Sequence, residues 1–251
     1  LGKPSEFYNE ELLYQLFGIN AELLIDHAWG WEPCTMAQIK AYKPENNSVG
    51  SGQVLQCAYT SEKARLIVKE MTDLLVLDLV DKCLVTDQLT LTVGYDIDNI
   101  RKTADGKPYR GEIKTDRYGR QIPKHAHGTV NLDRQTSSTK KIMAAVLDLY
   151  DRITDPTLMV RRIYVTAARV VREDQAEQKE SYQQLDLFTD YKALEIQQQK
   201  EKEQLAKEKN MQKAMLDIKK KFGKNAILKG MNLEEGAMTR ERNQQIGGHR
   251  E

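Results

Sequence analysis

Residues 89–95 show the clearest pattern in the chain, a strict alternation of apolar and polar side chains. Leu89, Leu91, Val93 and Tyr95 fall on one side of an extended backbone, and the two intervening threonines fall on the other. A period of two indicates a β-strand with one buried face and one wet face. Two later segments show the same alternation. In residues 125–132, the apolar Ala126, Val130 and Leu132 alternate with the polar His125, His127, Thr129 and Asn131. In residues 161–167, the apolar Ile163 and Val165 alternate with Arg162, Tyr164 and Thr166. The pattern predicts three strands that share an apolar face and a polar face, and the polar face also carries Thr90 and Thr92.

Two apolar stripes at helical spacing predict helices that cover the apolar face. Thr60 or Ser61 is predicted to cap the first helix. Its apolar stripe consists of Ala64, Ile67, Val68, Met71, Leu74 and Leu75, and Glu70 and Asp73 lie mostly outside this stripe. The second opens at residues 136–139 and carries Ile142, Met143, Val146, Leu149, Tyr150 and Ile153. With a first strand at residues 49–56 and a last strand from about residue 161 to residue 171, the order is strand, helix, strand, strand, helix, strand. This order predicts an α+β fold, a four-stranded antiparallel sheet with two helices on one face in a split β-α-β arrangement.

The remaining segments divide the chain into four parts. Residues 1–32 predict a short helical pair interrupted near Gly18, where a helix C-cap is favoured over a phosphate-contacting turn. Residues 33–47 predict a linker, and residues 48–174 predict the compact domain. Residues 96–124 predict a hairpin extension or a mobile loop inside that domain. Residues 175–251 predict a helical or disordered tail.

Composition narrows the class of protein. The 251 residues are 40% hydrophobic and 30% charged with a mean hydropathy of −0.63, which fits one core plus an extended appendage. The longest apolar run, residues 74–80, is too short to span a bilayer, so we expect no membrane partner. Cys34, Cys57 and Cys83 are widely spaced, which favours a reduced, cytoplasmic setting. The sequence begins with leucine rather than methionine, so we expect a fragment of a longer protein.

Charge is strongly segregated along the chain. The formal net charge is only +1, which argues against a uniformly basic nucleic-acid binder. Residues 101–141 contain eleven cations and four acidic residues, which leaves an excess of seven positive charges. The cations are Arg101, Lys102, Lys107, Arg110, Lys114, Arg117, Arg120, Lys124, Arg134, Lys140 and Lys141. In the predicted fold this excess lies beside the polar sheet face, where it would neutralise several DNA phosphates. Ser137 and Ser138 add hydroxyls at a helix N-terminus that suits a phosphate oxygen, although an ordinary N-cap explains them equally well.

The polar sheet face has other interpretations. A merely solvated face is as consistent with composition as a binding surface. An RNA-recognition module would carry stacking aromatics on its central strands, whereas Tyr164 is the one strand aromatic on this side. His125 and His127 could ligate a metal, but no third ligand occurs at a recognisable spacing, so we expect no metal site. The charge excess favours DNA, and the predicted DNA-binding residues are Ser51, Gln53, Thr90, Thr92, Arg117, Arg120, Lys124, His125, His127, Thr129, Ser137, Ser138, Lys140, Arg162 and Tyr164.

The sequence also resembles a known family. Three segments resemble the end of the thumb and the entry to the little-finger domain in Y-family translesion DNA polymerases: Phe17-Gly-Ile-Asn-Ala-Glu-Leu-Leu-Ile-Asp-His-Ala-Trp-Gly30, Tyr42-Lys-Pro and Ser48-Val-Gly-Ser-Gly-Gln-Val-Leu55. The similarity is strongest to the UmuC/MucB/DinB-like polymerases of Gram-positive bacteria. It implies a little finger that grips primer–template phosphates in an error-prone polymerase of SOS damage tolerance. The catalytic palm and its Mg²⁺ would lie upstream, so we expect neither a catalytic residue nor a cofactor in this chain.

A short motif in the tail indicates a second partner. Gln184, Leu185, Asp186, Leu187 and Phe188 match the motif by which bacterial repair polymerases dock on the sliding clamp. The glutamine would hydrogen bond, and Leu187 and Phe188 would fill an apolar pocket; a local hydrophobic contact is the alternative. The resemblance also admits other SOS proteins as partners. The alternative to a DNA-binding module is a non-catalytic protein-interaction scaffold with an inert sheet face.

Overall fold

The computed structural model describes residues 10–32, 34–42, 47–102, 105–116, 119–176 and 191–244. The chain forms two compact units, Leu1–Asn46 and Asn47–Glu251. The first unit contains helices α1 (Glu10–Phe17), α2 (Asn20–Ala28) and α3 (Met36–Ala41). Gly18 has a left-handed φ of +58° and donates its N–H to the Tyr14 carbonyl at 2.8 Å, which is the expected C-cap of α1. The segment predicted as a linker contains α3, which a reciprocal capping box of Thr35 and Gln38 starts.

The second unit contains the sheet, its covering helices and the described part of the tail. Its strands are β1 (Ser48–Tyr59), β2 (Leu84–Tyr95), β3 (Ile113–Thr115), β4 (Gln121–Pro123), β5 (Ala126–Thr136), β6 (Val160–Ala168) and β7 (Val171–Arg172). Its helices are α4 (Ser61–Asp81), α5 (Thr139–Ile153), α6 (Tyr191–Phe222) and α7 (Thr239–Arg242), with 3-10 turns at Ile97–Ile100, Glu173–Gln175 and Gly230–Leu233. None of the helices in the described ranges is both long enough and apolar enough to cross a bilayer.

The main sheet is antiparallel, with its four long strands in the order β1-β6-β2-β5. The predicted α+β class with an antiparallel sheet and covering helices is confirmed. The structure adds a fifth strand, because β6 ends at Ala168 and Arg169 takes a left-handed φ of +49°. After Val170, the chain forms β7, in which Val171 pairs with Val85 and Arg172 pairs with Leu84 at the start of β2, so these residues do not prolong β6. Residues 96–124 contain a separate two-stranded hairpin, β3-β4.

The core lies between one sheet face and two helices. Leu89, Leu91 and Val93 are fully buried, together with Ile163, Val165, Ile67, Met71, Ile142 and Val146. Thr60 caps α4 by accepting the Lys63 N–H at 3.4 Å. The Tyr150 hydroxyl of α5 donates to the Ser61 carbonyl of α4 at 2.8 Å, which ties the two helices together. Burial raises the pKa of Tyr150 to about 12, so this hydroxyl keeps its proton over the physiological range.

The tail covers a second side of α4, which the sequence pattern had assigned to solvent. Glu70 is 2% exposed and accepts hydrogen bonds from the Met238 N–H at 2.7 Å, the Thr239 N–H at 3.3 Å and the Asn232 side chain at 2.8 Å. One turn later, Asp73 pairs with Lys229 at 2.5 Å. Glu70 therefore binds the N-terminus of α7 and the preceding turn, and it anchors the C-terminal segment to the domain.

We expect Glu70→Ala to lower the free energy of unfolding by roughly 3 kcal/mol, because it leaves two backbone N–H groups and a side-chain amide buried without an acceptor. Urea unfolding of the full chain measures this loss. Glu62→Ala is the matched control, since Glu62 is an exposed glutamate in the first turn of the same helix. The control should cost less than about 1 kcal/mol; equal losses for the two variants would contradict the anchoring role.

Candidate nucleic-acid interface

The sheet face opposite α4 and α5 is lined by hydroxyl, imidazole and phenol groups. Strand register places Thr166, Thr90 and Thr129 in one cross-strand row, and Tyr164, Thr92 and His127 in the next row. Thr90 and Thr129 share a hydrogen bond at 3.3 Å, and the Thr92 hydroxyl lies 2.8 Å from His127 Nδ1. His127, Thr129 and Tyr164 are exposed, and Thr90, Thr92 and Thr166 are half-buried. We call this surface, formed by these six residues, the open face.

Two glycines of β1 make room for side chains of the open face. A Cβ at Gly52 would lie 2.5 Å from two ring carbons of Tyr164, and a Cβ at Gly50 would lie 2.8 Å from the Thr166 hydroxyl. The Tyr164 ring therefore lies directly over the β1 backbone. A glycine inside a strand often marks a place where another group lies close to the backbone, and here that group is the Tyr164 ring. The β1–β6 register also shifts between Val54 and Tyr59, which marks an irregularity nearer the C-terminal end of β1.

The β3-β4 hairpin lies at one end of the open face. Arg120 and Ile122 of this segment line a cleft of about 590 Å³ together with Val54, Arg161 and Arg162. Val54 and Arg162 are paired residues of β1 and β6 on the open side. The hairpin and the open face therefore share one continuous surface.

Positive charge converges on His125, which precedes β5 at this end of the face. Burial lowers the pKa of His125, and the charges of Lys114, His127, Lys124 and Arg162 lower it further. Four cationic or protonatable groups around one imidazole repel a further proton and attract an anion. Lys114 and Arg162 form no ion pair within the part of the chain that the structure describes.

Several cations of the predicted excess are neutralised locally. Arg120 pairs with Asp116 at 2.7 Å, and Lys124 pairs with Glu112 at 2.7 Å. The hydrogen bond from the Lys124 ammonium lowers the pKa of Glu112, so the Glu112 carboxylate is ionised at neutral pH. The positive field of the hairpin is therefore weaker than the count of cations in the sequence implies. Arg117, also predicted to bind DNA, lies outside the described residues.

The N-terminus of α5 lies at the other end of β5. Ser138 caps the helix by accepting the Lys141 N–H at 3.3 Å, which is the N-cap role. The Ser138 hydroxyl donates to Glu208 of α6 at 2.7 Å, and the Lys140 backbone N–H donates to the same carboxylate at 3.0 Å. The Ser137 carbonyl accepts a hydrogen bond from the Gln212 side chain at 3.0 Å. All three predicted residues therefore contact α6.

Two predicted residues lie on the opposite side of the sheet. Ser51 and Gln53 alternate with Gly50 and Gly52, so their side chains point towards the helices rather than to the open face. Arg242 of α7 donates to the Ser51 hydroxyl at 2.5 Å and to the Gln53 amide oxygen at 3.1 Å. Ser51 and Gln53 are thus partners of the tail and do not share a surface with Thr90 or His127.

The predicted clamp-docking residues 184–188 lie outside the described residues. Within the described ranges, the structure brings together no group of three or more His, Cys, Asp or Glu side chains that could hold a metal ion. His125 and His127 accordingly have no third ligand among those residues.

Three residues of α6 that were not predicted to be part of the site, Glu201, Glu208 and Gln212, contact the N-terminus of α5. Their signal lies in the spacing, because residues 201, 205, 208, 212 and 215 recur at steps of four and three. This is the spacing of one helix face. The face mixes charged, polar and apolar side chains, so it does not stand out as an apolar stripe.

Residues 46–187 match the model of the impB/mucB/samB family C-terminal domain, which is more than half of the chain. No curated protein matches the chain at a significant level. The matched range begins just before β1 and includes the whole sheet, the hairpin, α4 and α5. The domain model thus covers all of the open face. The chain therefore belongs to the impB/mucB/samB family and carries the C-terminal region of a Y-family polymerase.

Proposed function

We propose that the open face and the hairpin beside it bind the phosphate backbone of primer–template DNA in an error-prone polymerase of SOS damage tolerance. The observation that carries this proposal is the cluster of Lys114, Lys124 and Arg162 around His125, next to an exposed hydroxyl-bearing sheet. Cations and hydrogen-bond donors that lie together on one surface can bind the phosphates of a DNA backbone.

The side chains favour backbone contacts over reading of the base sequence. Threonine hydroxyls and imidazoles on rigid strands reach phosphate oxygens, whereas major-groove reading requires longer side chains on an inserted helix or ribbon. Strand β5 also separates two cationic groups, the hairpin that precedes Ala126 and the cluster of Arg134, Lys140 and Lys141 at the C-terminal end of the strand. At about 3.3 Å per residue the strand spans roughly 33 Å, close to one turn of B-form DNA.

In this proposal no carboxylate of the chain has a catalytic role. The resemblance to Y-family polymerases implies that the acidic residues that bind Mg²⁺ would belong to a palm outside this chain, and the open face offers hydroxyls and cations instead. The domain would hold the duplex while the palm of the whole protein forms the phosphodiester bond.

We expect the full chain to bind duplex DNA with an affinity that falls steeply with salt and survives EDTA. About four neutralised phosphates give a slope near −3.6 in a plot of log K against log salt, so a fourfold rise in salt weakens binding about 150-fold. Lys114→Glu should weaken binding by about tenfold on every duplex sequence and make the slope shallower. Fluorescence anisotropy with labelled duplexes measures both quantities.

Arg152→Glu is the matched charge control, because Arg152 is an exposed cation in the last turn of α5, on the helix side of the sheet. It should change the affinity by no more than about twofold. Equal losses for Lys114→Glu and Arg152→Glu would show a non-specific charge effect. A complete lack of duplex binding at low salt would favour the alternative, a protein-interaction scaffold with an inert sheet face.

His125 predicts a pH dependence of DNA binding. Its pKa is lowered below 6.5 in the free protein, and nearby phosphates would raise it again. The protonated protein should therefore bind more tightly, and affinity should rise as pH falls from about 7 towards 5. His125→Gln should flatten this rise, whereas His27→Gln in the first unit should leave it unchanged; affinity of the unaltered chain that does not vary with pH would contradict the assignment.

We also propose that residues 184–188 dock on the sliding clamp. The support is the motif itself, since Leu187 and Phe188 are apolar residues in a polar stretch of sequence. The double variant Leu187→Ala/Phe188→Ala should abolish clamp binding in surface plasmon resonance and leave DNA binding within about twofold. Clamp binding retained by this variant would refute the motif.

A further inference from the structure

Helix α6 places a carboxylate on a site that suits a phosphate. Glu208 accepts hydrogen bonds from the Ser138 hydroxyl at 2.7 Å and from the Lys140 backbone N–H at 3.0 Å. The N-terminus of a helix offers unpaired N–H donors and the positive end of the helix dipole, so it stabilises an anion. Here the anion comes from the same chain, 70 residues further on.

A second carboxylate of α6 binds the cations beside that site. Glu201, seven residues before Glu208, pairs with Arg134 at the end of β5 and with Lys141 at 2.5 Å. Hydrogen bonds from Lys141 and Arg134 lower the pKa of Glu201, so its carboxylate is ionised at neutral pH. Two carboxylates of one helix thus bind a hydroxyl, a backbone N–H and two cationic side chains. These four groups together resemble a phosphate-binding site.

The two halves of α6 are held differently. In the C-terminal half, Gln212 is 3% exposed and donates to the Ser137 carbonyl at 3.0 Å and to the Thr139 hydroxyl at 2.8 Å, and Met215 is 9% exposed. Over residues 196–208, the side chains are exposed except those of Glu201, Leu205 and Glu208, which are half-buried. The earlier half is therefore attached mainly by charge pairs, which other anions can replace.

We propose that the N-terminal half of α6 is an acidic cover over a phosphate subsite of the DNA-binding domain, and that DNA displaces it. In the absence of DNA, Glu201 and Glu208 hold Arg134, Lys141 and the N-terminus of α5. A DNA phosphate competes for the same groups. The apparent affinity for DNA is therefore the intrinsic affinity multiplied by the fraction of molecules in which the cover is open. This inference rests on the proposed DNA binding and adds a means of regulating it.

The test compares two isosteric double variants of the full chain that change net charge equally. Glu201→Gln/Glu208→Gln removes both contacting charges, and Glu203→Gln/Asp217→Asn removes two exposed charges of the same helix. The first variant should bind duplex DNA about tenfold more tightly than the unaltered chain, a difference of ~1.4 kcal/mol. The second should change affinity by no more than about twofold, since it removes only general repulsion.

Hydrogen–deuterium exchange of the unaltered chain provides a readout that does not depend on how the variants fold. Adding duplex DNA should speed amide exchange in residues 196–208 and leave residues 211–222 unchanged. If the chain binds DNA but the two variants behave alike, or if exchange in residues 196–208 slows, α6 is a structural or DNA-contacting element and the cover is refuted while the proposed function stands. If no form of the chain binds duplex DNA at low salt, the proposed function fails and the cover with it.

Discussion

The two-sided character of the central strands β2 and β6 is the constraint on which the rest of the second unit depends. Each strand presents an apolar row to α4 and α5, and burial of that row is the main favourable term available to the domain. Because side chains alternate, the same pairing necessarily turns Thr90, Thr92, Tyr164 and Thr166 to the opposite side. The helices thus fix which face is uncovered, and a shift of one residue in register would bury the hydroxyls and expose the core.

The same alternation explains why much of the fold could be predicted from the sequence. Residues 89–95, 125–132 and 161–167 have a period that only a half-buried strand satisfies, and Thr60 precedes an apolar stripe at helical spacing. The end of β6 could not be predicted, because nothing in the sequence around Arg169 requires its left-handed conformation. The burial of Glu70 and Asp73 could not be predicted either, because it depends on contacts with residues 229–239, which are about 160 positions away in the sequence.

The candidate site was predicted less completely than the fold, for an electrostatic reason. Counting cations between residues 101 and 141 located a positive region, but a count does not show that Arg120 and Lys124 are paired within the hairpin. Nor does it show that Arg134 and Lys141 are paired with a distant helix. The groups that remain to attract a polyanion, Lys114 and Arg162 above all, emerge only when the contacts of each charge are known.

The position of β6 has a consequence for the order in which the domain can assemble. This strand lies between β1 and β2, although it is the last of the four long strands to leave the ribosome. Until residue 168 has been synthesised, β1 has no neighbour for its backbone hydrogen bonds, and β2 has only β5. The nascent domain must therefore wait for its final long strand before the sheet can close, and a chain released before that point would present two unpaired strand edges to other molecules.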